Sequence, residues 1–144
     1  PLRLAACRES LRELAERTSA LRIRIAVECL PRSCLGNNSD EIAELVSVSD
    51  DLAVCCDVNH LLQEKPEHFI RKLGSRIATV HLSDYDGKDE KHWMPGEGII
   101  DWNKVLTELT EAGYRGAFMF EVRNPPPEAL KACRDRLIAD YERS

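Results

Sequence analysis

The sequence contains no apolar run approaching the roughly 20 residues that a bilayer-spanning helix needs, and no charged-then-apolar leader opens it. A soluble, cytoplasmic protein without a membrane partner is the expectation. Positive charge is also scarce: 20 Lys and Arg stand against 25 Asp and Glu, for a net charge of -5. Non-specific nucleic-acid affinity comes from clustered Lys and Arg, so a DNA or RNA partner is disfavoured. The basic residues present, such as Arg8, Arg12, Arg17, Arg71, Lys72, Arg134 and Arg136, fall among acidic neighbours in the manner of a solvated face. No Cys-x-x-Cys pair occurs among the six cysteines, which removes the usual zinc and thiol-exchange spacings. Cys29, Cys55 and Cys56 lie in or beside apolar runs, where a thiol acts as a small hydrophobe. Reduced thiols are expected, with a Cys29–Cys34 pairing as the alternative. Low-complexity tracts, sequence repeats and an interdomain linker are absent too.

What is present is the making of one globular domain over residues 1–144, with 43% hydrophobic and 31% charged residues. A helix is predicted over residues 2–19, with Leu4, Cys7, Leu11, Leu14 and Ala15 at the spacing of one apolar face. A β-rich run over 21–27 follows and ends in Glu28. After a loop rich in turn residues, Asn38 with Glu41 predicts a reciprocal N-cap for a helix carrying Ile42, Leu45 and Val46. Residues 52–56 form an apolar run of the kind buried on both faces of a parallel sheet, ending in Asp57, with His60 three residues on.

A helix carrying Phe69, Ile70 and Leu73 is expected to stop at Gly74 as a C-cap. A third strand over 77–80 delivers His81 and Asp84 to its carboxyl end. A polar loop containing Glu90, His92 and Pro95-Gly96-Glu97-Gly98 leads to a helix starting at Asp101 and closed by Gly113. The fourth strand, 117–120, ends in Glu121, and a last amphipathic helix covers 128–141. Strands alternating with helices in units of this size predict an α/β fold of parallel βα units, with four strands.

In parallel α/β folds every strand's carboxyl end lies on one face, where ligands bind. Here those four ends carry Glu28, Asp57, His81 and Glu121. Any one of them alone reads as a strand terminator or a capping group. Together, three carboxylates beside one imidazole would repel and titrate upward unless a divalent cation joins them. Three oxygens and one nitrogen favour Mn²⁺ or Mg²⁺, with Zn²⁺ or Co²⁺ also able to bind.

The ordered pieces Val27-Glu28, Cys56-Asp57-Val58-Asn59-His60, Val80-His81-Leu82-Ser83-Asp84, Glu90-Lys91-His92 and Phe120-Glu121-Val122 resemble the xylose isomerase-like TIM barrels, which include sugar isomerases and epimerases, inosose dehydratase and endonuclease IV. The resemblance covers the carboxyl-terminal half of an eight-stranded barrel. It implies that Glu28, Asp57, His81 and Glu121 hold a metal, that Glu28 and Glu121 also act as the catalytic acid–base pair, and that His60 and His92 contact substrate.

The implied activity is metal-dependent isomerisation or epimerisation of a small sugar, polyol or hydroxy-keto compound, with the cation stabilising an enediolate. An endonuclease IV-like zinc phosphodiesterase, supported by the Glu90-x-His92 pair, and a metal-binding half-barrel without turnover are the alternatives. The two outer strands, 21–27 and 117–120, would have apolar unpaired edges, so a homo-oligomer or an N-terminal half-barrel is expected to cover them. Bland roles suit the remaining polar and aromatic residues: His68 exposed, Trp102 packed on the sheet, Asp84 and Asp86 in turns or around the metal.

Overall fold

The computed structural model describes residues 2–143, so Pro1 and Ser144 of the expected domain lie outside the described residues. Five helices alternate with four strands: α1 (Leu2–Ser19), β1 (Ile25–Glu28), α2 (Ser39–Val46), β2 (Leu52–Asp57), α3 (Pro66–Leu73), β3 (Ile77–Leu82), α4 (Trp102–Glu111), β4 (Phe118–Phe120) and α5 (Pro127–Arg143). The sheet order is β1-β2-β3-β4 and every pairing is parallel. Right-handed crossovers between neighbours in chain order put the connecting helices on one face. Each consecutive pair of helices packs together, from α1 on α2 to α4 on α5. The core lies between that layer and the sheet: Val54, Cys56, Val80 and Leu82 from the strands meet Ile42, Leu45, Phe69, Ile70, Val105, Leu106 and Leu109 from the helices.

The expected order of elements is present, and the bounds of all four strands move for local reasons. Residues 21–27 alternate like a strand, yet β1 begins only at Ile25. The residues before it complete the exit from α1, where the Leu21 and Ile23 amides both donate to the Thr18 carbonyl and Arg22 takes a φ of 56°. Leu21 and Ile23 are consequently exposed. β4 starts at Phe118, one residue later than expected, because the Ala117 carbonyl accepts the Tyr114 hydroxyl at 2.6 Å. β2 and β3 instead run on, so Asp57 and His81 sit inside their strands.

Other local expectations are corrected by the side chains. Leu14 lies beside the α1 stripe made by Leu4, Cys7, Leu11 and Ala15, and is exposed. Asn38 does cap α2 by accepting from the Glu41 amide at 3.0 Å, but Glu41 returns its carboxylate to the Gly36 amide at 2.8 Å. The reciprocal half of the cap is therefore made upstream of Asn38. Gly74 caps α3 in a right-handed conformation, φ −50°. Its glycine serves close packing, since a Cβ there would come within 2.4 Å of the Ala112 Cβ. All six cysteines are free, and Cys29, for which pairing with Cys34 is the alternative expectation, is bonded through sulfur to the backbone of Asp57. Among the described residues, no helix is long and apolar enough to cross a membrane.

Candidate metal centre

Alternation along the strands sends one set of side chains toward the helices and the other to the opposite face. Val54, Cys56, Val80 and Leu82 take the helix side. Register then assigns the other face: Glu28 is partnered with Cys55, Asp57 with His81, and His81 with Met119. Glu121 follows two residues after Met119, and its amide continues the ladder by donating to the Leu82 carbonyl at 3.2 Å.

His81 reaches this face only because β3 holds one residue more than β2 over the paired stretch. Ile77 partners Val54, but Thr79 partners Cys55, so Ala78 is passed over. A bulge of this kind reverses the facing of everything after it. Laid out flat from Ile77 with all of its residues kept, β3 would turn Val80 to the site and His81 to the core. The sequence carries a trace of the bulge, because the buried residues of β3 fall at 77, 80 and 82, a spacing of three and then two.

The four expected ligands come together. Single donor atoms of Glu28, Asp57, His81 and Glu121 all lie within 4.8 Å of one another. His81 Nδ1 is central, 2.9 Å from Glu121 Oε2, 3.2 Å from Glu28 Oε1 and 3.6 Å from Asp57 Oδ2. Despite this proximity, Nδ1 has no aligned hydrogen bond, and neither has Asp57 Oδ2, although both atoms are buried. Buried polar atoms normally find partners. An orphaned imidazole nitrogen and an orphaned carboxylate oxygen, set beside the two carboxylates of Glu28 and Glu121, are what a set of ligands around a common cation looks like, and hard oxygen donors with one imidazole suit a divalent ion.

Titration follows from the same crowding. The Asp57 contact, opposed by burial and aided by the charges of Glu28 and Glu121, raises the His81 pKa to about 9. Burial and then the Asp57 carboxylate push Glu121 upward. Burial also works to raise Asp57, but His81 and the charge of His60 outweigh it, and its pKa is lowered. One of the three carboxylates is thus held ionised while Glu121 is drawn toward accepting a proton.

His60, in a single 3-10 turn after β2, directs Nδ1 to the Cys29 carbonyl at 3.0 Å and lies 3.4 Å from Asp57 Oδ2. His92 contacts the Glu121 carbonyl through Nδ1 at 2.9 Å, with its ring edge-on to that of His60 at 5.9 Å. Both imidazoles therefore border the four-residue cluster. Glu90 does not join it, because its carboxylate pairs with Arg32 at 2.7 Å. The bland readings also resolve. His68 is exposed, Trp102 is buried, and Asp84 and Asp86 organise turns by accepting backbone amides.

Two thiols that read from the sequence only as small hydrophobes stand at this centre. Cys29 Sγ accepts the Asp57 amide at 3.2 Å and donates to the Asp57 carbonyl at 3.3 Å. Cys55 Sγ lies 3.5 Å from His81 Nε2. The facing of Cys55 depends on register, which composition does not report. A separate hollow of about 410 Å³ lies between β4 and α5, lined by Leu82, Phe118, Phe120, Leu137 and Tyr141. It holds none of the four clustered residues.

Comparison with known proteins gives this geometry relatives. The chain matches the family described as xylose isomerase-like TIM barrel over residues 2–139. It is 30% identical over 119 residues to an inosose dehydratase of Bacillus cereus, covering 64% of this chain and 40% of that protein. The crystal structure of a D-tagatose 3-epimerase-like protein superposes with a TM-score of 0.84 at 29% identity, covering 96% of this chain and 54% of that one. A structure of the IOLI protein with a bound zinc atom shares the fold, with a TM-score of 0.74 at 20% identity, covering 97% of this chain and 54% of that one. The chain spans about half or less of the length of these relatives.

Proposed function

Because the chain belongs to the xylose isomerase-like TIM barrel family, we propose that it forms the metal-bearing half of an isomerase or epimerase acting on a small sugar, polyol or hydroxy-keto compound. The observation that carries this reading is the convergence of Glu28, Asp57, His81 and Glu121 donor atoms within 4.8 Å at four successive strand ends. These four residues would hold a divalent cation, Mn²⁺ or Mg²⁺ by donor hardness and Zn²⁺ or Co²⁺ as further occupants. When bound, that ion supplies Lewis-acid polarisation of a substrate carbonyl, which acidifies the neighbouring C–H.

The chain's own residues do the rest. Glu28 and Glu121 each turn one oxygen toward His81 Nδ1 and keep the other for proton transfer. One removes the proton beside the carbonyl and the other returns it. Burial and the neighbouring Asp57 raise Glu121 toward the basicity such a role needs. His60 has committed Nδ1 to the Cys29 carbonyl, which leaves Nε2 to meet a substrate oxygen. His92, beside it, borders the same space.

A second reading, a metal-binding half-barrel without turnover, takes from the four-residue cluster its cation binding alone. Among the described residues, β1 and β4 each pair on one side only. A second copy or an N-terminal half-barrel would cover them, and cytoplasmic sugar metabolism is the setting proposed for the complete assembly. Metal content per chain and solvent proton exchange into ketose and inosose substrates distinguish the readings. About one divalent ion per chain with exchange supports the isomerase. One ion without exchange favours the half-barrel, and no ion sinks both.

Cation binding should also depend on pH in a definite sense. In the cation-free protein His81 holds its proton up to about pH 9, and a ligating imidazole must give that proton up. Protons therefore compete with the cation below pH 9. Apparent affinity is expected to rise about tenfold per pH unit toward pH 9 and to flatten above it. Calorimetric Mn²⁺ titrations at stepped pH measure this, and a flat profile from pH 6 upward, ~3 units below the inflection, would contradict it.

A further inference from the structure

Taking the four-residue cluster as a cation site, we propose that Cys55 is a positioning residue: its Sγ receives the His81 Nε2–H and thereby commits Nδ1 to the cation. An imidazole that binds a cation through one nitrogen must be neutral and carry its remaining proton on the other. Whatever accepts that proton fixes the ring's orientation and decides which nitrogen ligates.

The two nitrogens of His81 have sharply different surroundings. Nδ1 faces Glu121, Glu28 and Asp57 at 2.9–3.6 Å with no aligned hydrogen bond. Nε2 has one polar partner among the described residues, the Cys55 sulfur at 3.5 Å, inside the range of a bond to sulfur. Cys55 is 4% exposed, and its register partners are Glu28 on β1 and Thr79 on β3, so it lies on the sheet face that carries the cluster. In cation sites this acceptor is usually a carboxylate, a carbonyl or a water. Here a thiol occupies the position, a weak acceptor that adds no charge beneath three carboxylates.

Geometry also offers a rival, because donor atoms of Glu28, Cys55 and His81 themselves lie within 4.8 Å. In that arrangement the sulfur would bind the cation directly. Spectra separate the two roles.

The test compares the native chain with Cys55→Ala and Cys55→Ser. Co²⁺ and Mn²⁺ titrations give affinity, and two-bond nitrogen–proton correlation spectra of the Zn²⁺-loaded chain report which His81 nitrogen is protonated. The native chain should show His81 protonated on Nε2 and ligated through Nδ1. Cys55→Ala should weaken cation binding about tenfold, the low end of the 10–100-fold range for such partners because the acceptor is weak. Cys55→Ser should restore most of the loss. Urea midpoints of the cation-free variants should stay near the native value.

An alanine variant that binds as tightly as the native chain overturns the role of Cys55 and leaves the cation site standing. Ligation through Nε2 in the native chain, or a thiolate-to-cobalt charge-transfer band, also overturns it, and neither depends on a variant folding. Failure of the native chain to bind any of the three ions removes the cation site and the positioning role together.

Discussion

Glu121→Gln is expected to lose divalent-cation affinity by more than about 100-fold and, in the assembled enzyme, to lose turnover by about 10²–10⁴-fold. The two losses have different origins. Glu121 Oε2 is the carboxylate oxygen nearest His81 Nδ1, at 2.9 Å, so an amide there removes one of three negative charges and can turn an NH₂ toward the cation. Under the proposed mechanism the same substitution is also expected to abolish proton exchange, because a carboxamide does not accept the α-proton. Saturating cation separates the effects: restored occupancy without restored exchange assigns Glu121 to the acid–base pair as well as the ligand set. Metal analysis and deuterium uptake by substrate provide the readouts. Turnover that survives the substitution would remove Glu121 from the chemistry.

Asp84→Ala should be among the most destabilising single substitutions in the chain, by about 3–5 kcal/mol. The Asp84 side chain is fully buried. Its Oδ1 accepts the Tyr85 amide at 2.9 Å and the Ile100 amide at 3.1 Å, while Oδ2 accepts the Gly96 amide at 2.8 Å and Trp102 Nε1 at 2.9 Å. Four donors from the β3–α4 loop and the start of α4 therefore converge on one carboxylate. Alanine leaves all four without that acceptor, and three of them, the Tyr85 and Ile100 amides and Trp102 Nε1, are buried. Asparagine would keep one oxygen and set an NH₂ against two donors, so Asp84→Asn should cost roughly half as much. Urea unfolding followed by Trp102 fluorescence measures both. Equal midpoints for native and alanine proteins would show that the loop holds without this hub.

The fold and the four-residue cluster were legible to different depths. The alternation of elements and the four polar residues at strand ends could be read directly, because parallel βα units place strand carboxyl ends together whatever the details of packing. Boundaries were harder. Leu21-Arg22-Ile23 has the alternation of a strand, yet the turn leaving α1 uses the Thr18 carbonyl to hold those residues, a local backbone arrangement that alternation does not encode. Residue roles divided in the same way. Asp84 reads as a generic turn residue, because its four donors come from positions up to Trp102 that meet only after folding. Cys55 and Cys29 read as filler, because a thiol's role depends on which face of the strand it occupies.

Ala78 is the one residue that the pairing of β3 with β2 passes over. A strand with one surplus residue tolerates many replacements of the residue itself, since the surplus backbone re-aims His81. An in-frame loss of the Ala78 codon should leave the same facing: Thr79 then follows Ile77 directly, β3 alternates regularly against β2, and Val80 and His81 keep their present sides. In inheritance the surplus residue is therefore a spare: the strand can lose one codon ahead of His81 and keep the proposed cation site, whereas a second such loss would turn His81 into the core.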